Sequence, residues 1–140
     1  MIFNPEVDRL QNLSQSGTRG TVLIIEDSSD IRALLVELLE DEGYHVFEAA
    51  SGEDGIVSAV ENRPGIILLD LSLPGINGWE TCRRLRALPE ITTTPIVALT
   101  AHSAENHREM ALQAGCNGFI NKPFDVDVLL NQVATFISQG

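Results

Sequence analysis

Four apolar runs in this chain end on residues able to hold a cation or a phosphate. Val22-Leu23-Ile24-Ile25 leads into Glu26-Asp27, Ile66-Ile67-Leu68-Leu69 into Asp70, Ile96-Val97-Ala98-Leu99 into Thr100, and Phe119-Ile120-Asn121 into Lys122. A single acid after an apolar run is ordinarily a cap or turn residue. Three acids, a hydroxyl and an ammonium distributed over four run ends carry more weight, because open α/β sheets place ligands just beyond the carboxyl ends of their strands. Clustered carboxylates raise one another's pKa unless a cation sits among them. A carboxylate nucleophile can attack phosphorus in line and form an acyl phosphate. Lys122 is the only lysine of a chain with eight arginines. Lysine suits a place where a compact, single-point charge meets a phosphate.

The elements that must position these residues are legible as five alternating strand and helix patterns after residue 20. Strands are expected at 21–26, 45–49, 65–70, 95–100 and 118–121. Ser28 or Ser29 can cap a first helix with Ile31, Leu34, Leu35, Leu38 and Leu39 on one face, and Gly43 suits the position just past its end. Its acidic last turn, Glu40-Asp41-Glu42, opposes the helix dipole and predicts an exposed end. Ser51 opens a weaker helix carrying Ile56, Val57 and Val60. A third helix is expected from about 77 to 86, and its Arg83, Arg84 and Arg86 suit a helix C-terminus. A fourth, at 103–114, has only Ala104, Met110, Ala111 and Ala114 as inward candidates and so looks lightly anchored. Asp125 caps a last helix with Leu129, Leu130, Val133 and Ile137 inward. Strands alternating with helices imply right-handed crossovers and a parallel sheet covered on both faces, an α/β fold.

A chain of 140 residues suits one domain. Residues 1–20 stand apart as an N-terminal extension or linker, and 21–140 as the domain. The formal charge is -11, and the first 20 residues hold two acids and two bases, so the whole excess lies in the domain. Such a field repels nucleic acid and anionic membranes, and no direct nucleic-acid or membrane partner is expected. No apolar stretch approaches the ~18 residues of a membrane span. The start lacks a secretory signal, which predicts a cytoplasmic setting. Cys82 and Cys116 form no metal-binding pattern and read as free thiols.

The segments Leu-Ile-Ile-Glu-Asp, Leu-Leu-Asp-Leu-Ser-Leu-Pro-Gly-Ile-Asn-Gly, Ala-Leu-Thr-Ala and Gly-Phe-Ile-Asn-Lys-Pro, in this order and at these separations, resemble the receiver domain of two-component response regulators. The resemblance covers about residues 20–138. It implies a flavodoxin-like, doubly wound (βα)5 fold with strand order 2-1-3-4-5. Given that order, adjacent strands ~4.8 Å apart put Asp27 and Asp70 within reach of one ion, while the fifth strand lies ~10 Å from the third. A lysine reaches roughly 6 Å, which predicts a space between Lys122 and Asp70 for one phosphoryl group.

The resemblance further implies a phosphorelay switch in which Asp70 accepts a phosphoryl group from a histidine kinase or a histidine phosphotransfer protein. Mg²⁺ would be held by Asp27, Asp70, Glu26 and the Ser72 backbone carbonyl. The Leu71 and Ala101 amides, the Thr100 hydroxyl and Lys122 would meet the phosphate. Thr100 and Phe119 resemble the family's switch pair, Ser72 and His102 occupy positions that tune acyl-phosphate lifetime, and the Lys122–Pro123 peptide is expected to be cis. Output would pass to a downstream effector protein through helix 4, strand 5 and helix 5, and a homodimer is allowed. The chain reads as a stand-alone regulator or a piece of a larger hybrid protein, and as a phosphoacceptor rather than an enzyme acting on a separate substrate.

Two other readings fit less well. A Mg²⁺-dependent phosphohydrolase with an Asp nucleophile typically has a second acid two residues on, where this chain has Ser72. A flavodoxin-like cofactor binder needs a phosphate loop after the first strand, where Glu26-Asp27 would repel the ligand.

Overall fold

The chain's most apolar runs become three central strands, each buried on both faces. They are β1 (Thr21–Ile25), β3 (Ile66–Asp70) and β4 (Ile96–Thr100), flanked by β2 (His45–Ala49) and β5 (Gly118–Asn121). In the computed structural model, which describes residues 19–100 and 105–137, all strand pairs are parallel and the order is β2-β1-β3-β4-β5. Val22–Ile25, Ile66–Leu69 and Ile96–Leu99 have no solvent exposure. A parallel sheet has both faces covered by its crossover helices, so its inner strands are continuous apolar runs rather than alternating ones.

Among the described residues, five α-helices provide that cover: α1 (Ser29–Asp41), α2 (Gly52–Asn62), α3 (Gly78–Arg86), α4 (Glu105–Ala114) and α5 (Val126–Ile137). One core joins Leu35 and Leu39 of α1 and Leu129 and Val133 of α5 to Val22, Ile24, Ile66, Leu68, Val97 and Leu99. The other joins Ala59 of α2, Cys82 and Leu85 of α3 and Ala114 of α4 to the alternate residues of the same strands. Full burial of each leucine contributes roughly 1.5–3 kcal/mol.

Local chemistry sets where the helices begin. The Ser28 hydroxyl accepts from the Ile31 amide, Ser51 from Asp54 and Asn77 from Glu80, and Asp125 Oδ1 accepts from Asp127 and Val128. Gly43, at φ +95°, follows the Glu42 end of α1. Apolar residues expected on the helices' packing faces are exposed instead, among them Leu34, Val57 and Val60. In α2 the buried positions are Gly52, Gly55 and Ala59, and a Cβ on Gly55 would collide with the Ile25 side chain. The helix packs closely on its small residues, which turns its valines outward. Met110 of α4 is also exposed, while Ala114 is buried.

At the amino end, Arg19 and Gly20 are hydrogen-bonded beside β2, through Arg19 N–H to Gly43 O (2.9 Å) and His45 N–H to Gly20 O (2.9 Å). The rest of the expected extension, with Ala101, His102 and Ala104, lies outside the described residues.

Candidate functional site

The carboxyl ends of β1, β3 and β5 bring four charged side chains together. Carboxylate oxygens of Glu26, Asp27 and Asp70 all lie within 4.8 Å of one another. Lys122 Nζ is 2.7 Å from Glu26 Oε1 and 3.3 Å from Asp70 Oδ1. Glu26 and Asp70 are buried and Asp27 is exposed, so the cluster has a closed floor and an open rim. The expected space between Lys122 and Asp70 is spanned by the lysine itself.

Burial raises the pKa of Glu26, and the neighbouring Asp70 adds to that, against the lowering pull of Lys122 and of the Ser28 amide, which donates to Glu26 Oε2 at 3.1 Å. For Lys122, burial disfavours the charged form, but Glu26 and Asp70 outweigh it and its pKa is raised. Three carboxylates share one ammonium, and the residual negative charge with hard oxygen donors fits a small divalent cation.

The turn after β3 is tied to the nucleophile candidate. The Ser72 amide donates to Asp70 Oδ1 at 2.9 Å. The Leu71 amide, expected as a phosphate donor, instead donates to Leu99 O at 3.0 Å and continues the β3–β4 ladder. Its N–H is committed to the sheet, so the amide turned toward Asp70 is that of Ser72. A Cβ on Gly78 would collide with the Leu71 Cα and the Asp70 carbonyl. Only glycine lets α3 start this close to the acid's own backbone.

Thr100 is buried at the end of β4, and its carbonyl accepts from the Lys122 amide at 2.6 Å. Phe119 pairs in register with Ala98, two residues before Thr100, so Phe119 and Thr100 share one face of the sheet. The Lys122–Pro123 peptide is cis. Ala101, the other expected amide donor, is outside the described residues.

Sequence reasoning missed Arg32. Its Nη1 donates to Glu26 O at 2.8 Å, and its Nε donates to Glu48 at 2.9 Å. The guanidinium thus fixes the backbone that carries Glu26 and ties it to β2. One signal was available: a cation near the first turn of a helix opposes the dipole and needs another partner.

A family model described as response regulator receiver domain matches residues 22–134. The transcriptional regulatory protein AfsQ1 of Streptomyces coelicolor is 38% identical over 86% of this chain and 52% of its own length. An uncharacterized 14.6 kDa protein of Leptolyngbya boryana is 34% identical over 82% of this chain and 88% of its own. The solved receiver domain of the sensor histidine kinase PA1611 from Pseudomonas aeruginosa superposes with a TM-score of 0.79 at 33% identity, covering 85% of this chain and 98% of that one. That structure has a magnesium ion coordinated in its active-site cleft. The chain spans about half the length of most of the curated relatives it matches, as with AfsQ1.

Proposed function

The chain belongs to the response regulator receiver domain family, and from that premise we propose that Asp70 is its phosphoacceptor, charged from a phosphohistidine on a histidine kinase or a histidine phosphotransfer protein. The carrying observation is that Glu26, Asp27 and Asp70 converge within 4.8 Å while Lys122 contacts two of them.

An Asp70 carboxylate oxygen attacks phosphorus, the new O–P bond forms as the donor's N–P bond breaks, and the imidazole leaves with the bonding electrons. Glu26, Asp27, Asp70 and the Ser72 carbonyl would hold Mg²⁺, which when bound neutralises charge on the transferring oxygens. Lys122 turns its ammonium from the carboxylates to those oxygens. The Thr100 hydroxyl and the Ser72 and Ala101 amides donate to them as well. Drawing Thr100 inward changes the space beside Phe119 on the same face. Two states then differ in their contacts, which is what a population shift requires. The readout passes to an effector protein through α4, β5 and α5. The setting is cytoplasmic, and among the described residues no helix is long and apolar enough to cross a membrane. The transcriptional role named for AfsQ1 belongs to that longer protein.

The test is incubation with Mg²⁺ and acetyl phosphate, followed by intact mass measurement. A phosphoryl adduct that hydroxylamine removes, and that is lost in Asp70→Asn, is the expected result. No adduct with any small phosphodonor, or an undiminished one in Asp70→Asn, contradicts the reading.

A further inference from the structure

The second core holds a pair of thiols that phosphoryl transfer does not use. Cys82 on α3 and Cys116, between α4 and β5, are 34 residues apart in sequence with their sulfurs 3.5 Å apart. Cys82 Sγ also lies 3.3 Å from the Ala114 carbonyl, to which only an S–H can donate. With Cys82 donating there, Cys116 must donate to Cys82, so the two thiols form a directed chain. That bond from Cys116 lowers the pKa of Cys82; burial works against it, and the Arg86 and Arg83 charges assist. The same bond and burial push Cys116 up.

The surroundings permit the sulfurs to meet an oxidant. Cys116 lies two residues after α4, whose Met110 and Leu112 are exposed, while Ala114 and Cys116 themselves are buried. Segments with little buried apolar surface open locally at low free energy. Arg86 Nε donates to Gly115 O at 2.8 Å and so ties the residue before Cys116 to α3.

We propose that Cys82 and Cys116 are a reversible dithiol–disulfide pair that responds to a hydroperoxide. One thiolate attacks the peroxide O–O bond, giving a sulfenic acid and, with hydrogen peroxide, one water. The second sulfur then attacks the sulfenic sulfur, forming the S–S bond and releasing a second water. Two thiols are oxidised by two electrons as one peroxide is reduced. A low-molecular-weight thiol reverses the bond by exchange, becoming a disulfide itself. The sulfurs, 3.5 Å apart, must approach to the ~2.05 Å of a disulfide. The closed bond pins the end of α4 to α3. Disulfides in reducing compartments are characteristically transient and sensing.

The reduced full chain is treated with hydrogen peroxide, quenched with catalase, alkylated under denaturing conditions and mapped without reduction. The expected result is loss of both alkylatable thiols together, a linked peptide pair containing Cys82 and Cys116 in monomeric protein, and recovery of both thiols with dithiothreitol. Full alkylation of both cysteines under conditions that convert Met110 to its sulfoxide overturns the proposal, as do separate sulfinic or sulfonic acids without a link. In Cys116→Ala, a dimedone-trapped sulfenic acid should accumulate at Cys82. The map of the unaltered chain decides the matter however that variant folds.

Discussion

Two cations lie at opposite ends of the sheet and are satisfied in opposite ways. Arg86, at the amino ends of β4 and β5, donates to the carbonyls of Ile91, Thr94 and Gly115 and to the side chain of Asn117. Asn117 in turn accepts from the Ile96 amide, at the first residue of β4. Neutral acceptors converge on a rigid fork there, and no group is left to exchange. Lys122, at the carboxyl ends, faces carboxylates that outnumber it, with a single ammonium touching two of them. The first end is closed and structural. The second carries surplus negative charge, which suits a cation.

The contrast can be broken by substitution. Arg86→Ala strands several carbonyls at once and should cost about 2–4 kcal/mol in denaturant unfolding, since each buried group left unsatisfied costs ~1–3 kcal/mol and water recovers part of it. Phosphorylation by acetyl phosphate should survive in the folded fraction. A midpoint unchanged by Arg86→Ala would erase the structural reading of that end.

Lys122→Ala leaves Glu26 buried without its partner and should cost about 1–3 kcal/mol without divalent ions, less than a fully buried pair because the lysine is partly exposed. Added Mg²⁺ should raise the unfolding midpoint of this variant more than that of the unaltered chain. An equal rise in both would separate the lysine from the cation site. Lys122→Arg keeps the charge and should still impair switching, read as loss of the phosphorylation-dependent change in effector binding. Normal switching would remove the case for a compact cation.

Arg32→Ala should cost ~1 kcal/mol, because it frees the Glu26 carbonyl but leaves the Glu26 and Asp70 side chains in place. Its sharper signature is a weakened Mg²⁺-dependent midpoint shift. The smallest effects belong to the outward-facing residues. Val57→Thr and Leu34→Ser should stay within about 0.5 kcal/mol of the parent, and a larger loss would place them in an interface.

The strand ends were readable because a buried parallel strand is a continuous apolar run, and an acid or lysine closing it stands out. Glu26, Asp27, Asp70 and Lys122 stood out that way, and the structure puts them at strand ends as expected; the cap residues Ser28, Ser51 and Asp125 were legible by their side-chain chemistry. Packing between elements was not readable. The periodicity of α2 pointed to Val57 and Val60, while the close approach of Gly55 to Ile25 decides which face goes in. Long-range polar contacts were hidden for the same reason. Arg32 to Glu48, Arg86 to Asn117 and Cys82 to Cys116 join residues 16, 31 and 34 positions apart, and no local pattern encodes them. The Leu71 amide shows a subtler gap: only strand register reveals that its N–H belongs to the β3–β4 ladder.

Of three neighbouring carboxylates, we propose that Asp70 takes the phosphoryl group. Borohydride reduction of the chain phosphorylated by acetyl phosphate converts an aspartyl phosphate to homoserine, and peptide sequencing by mass spectrometry then locates it. Homoserine at position 70 alone is the predicted result. Reduction at Asp27 or Glu26, with Asp70 intact, would contradict the account.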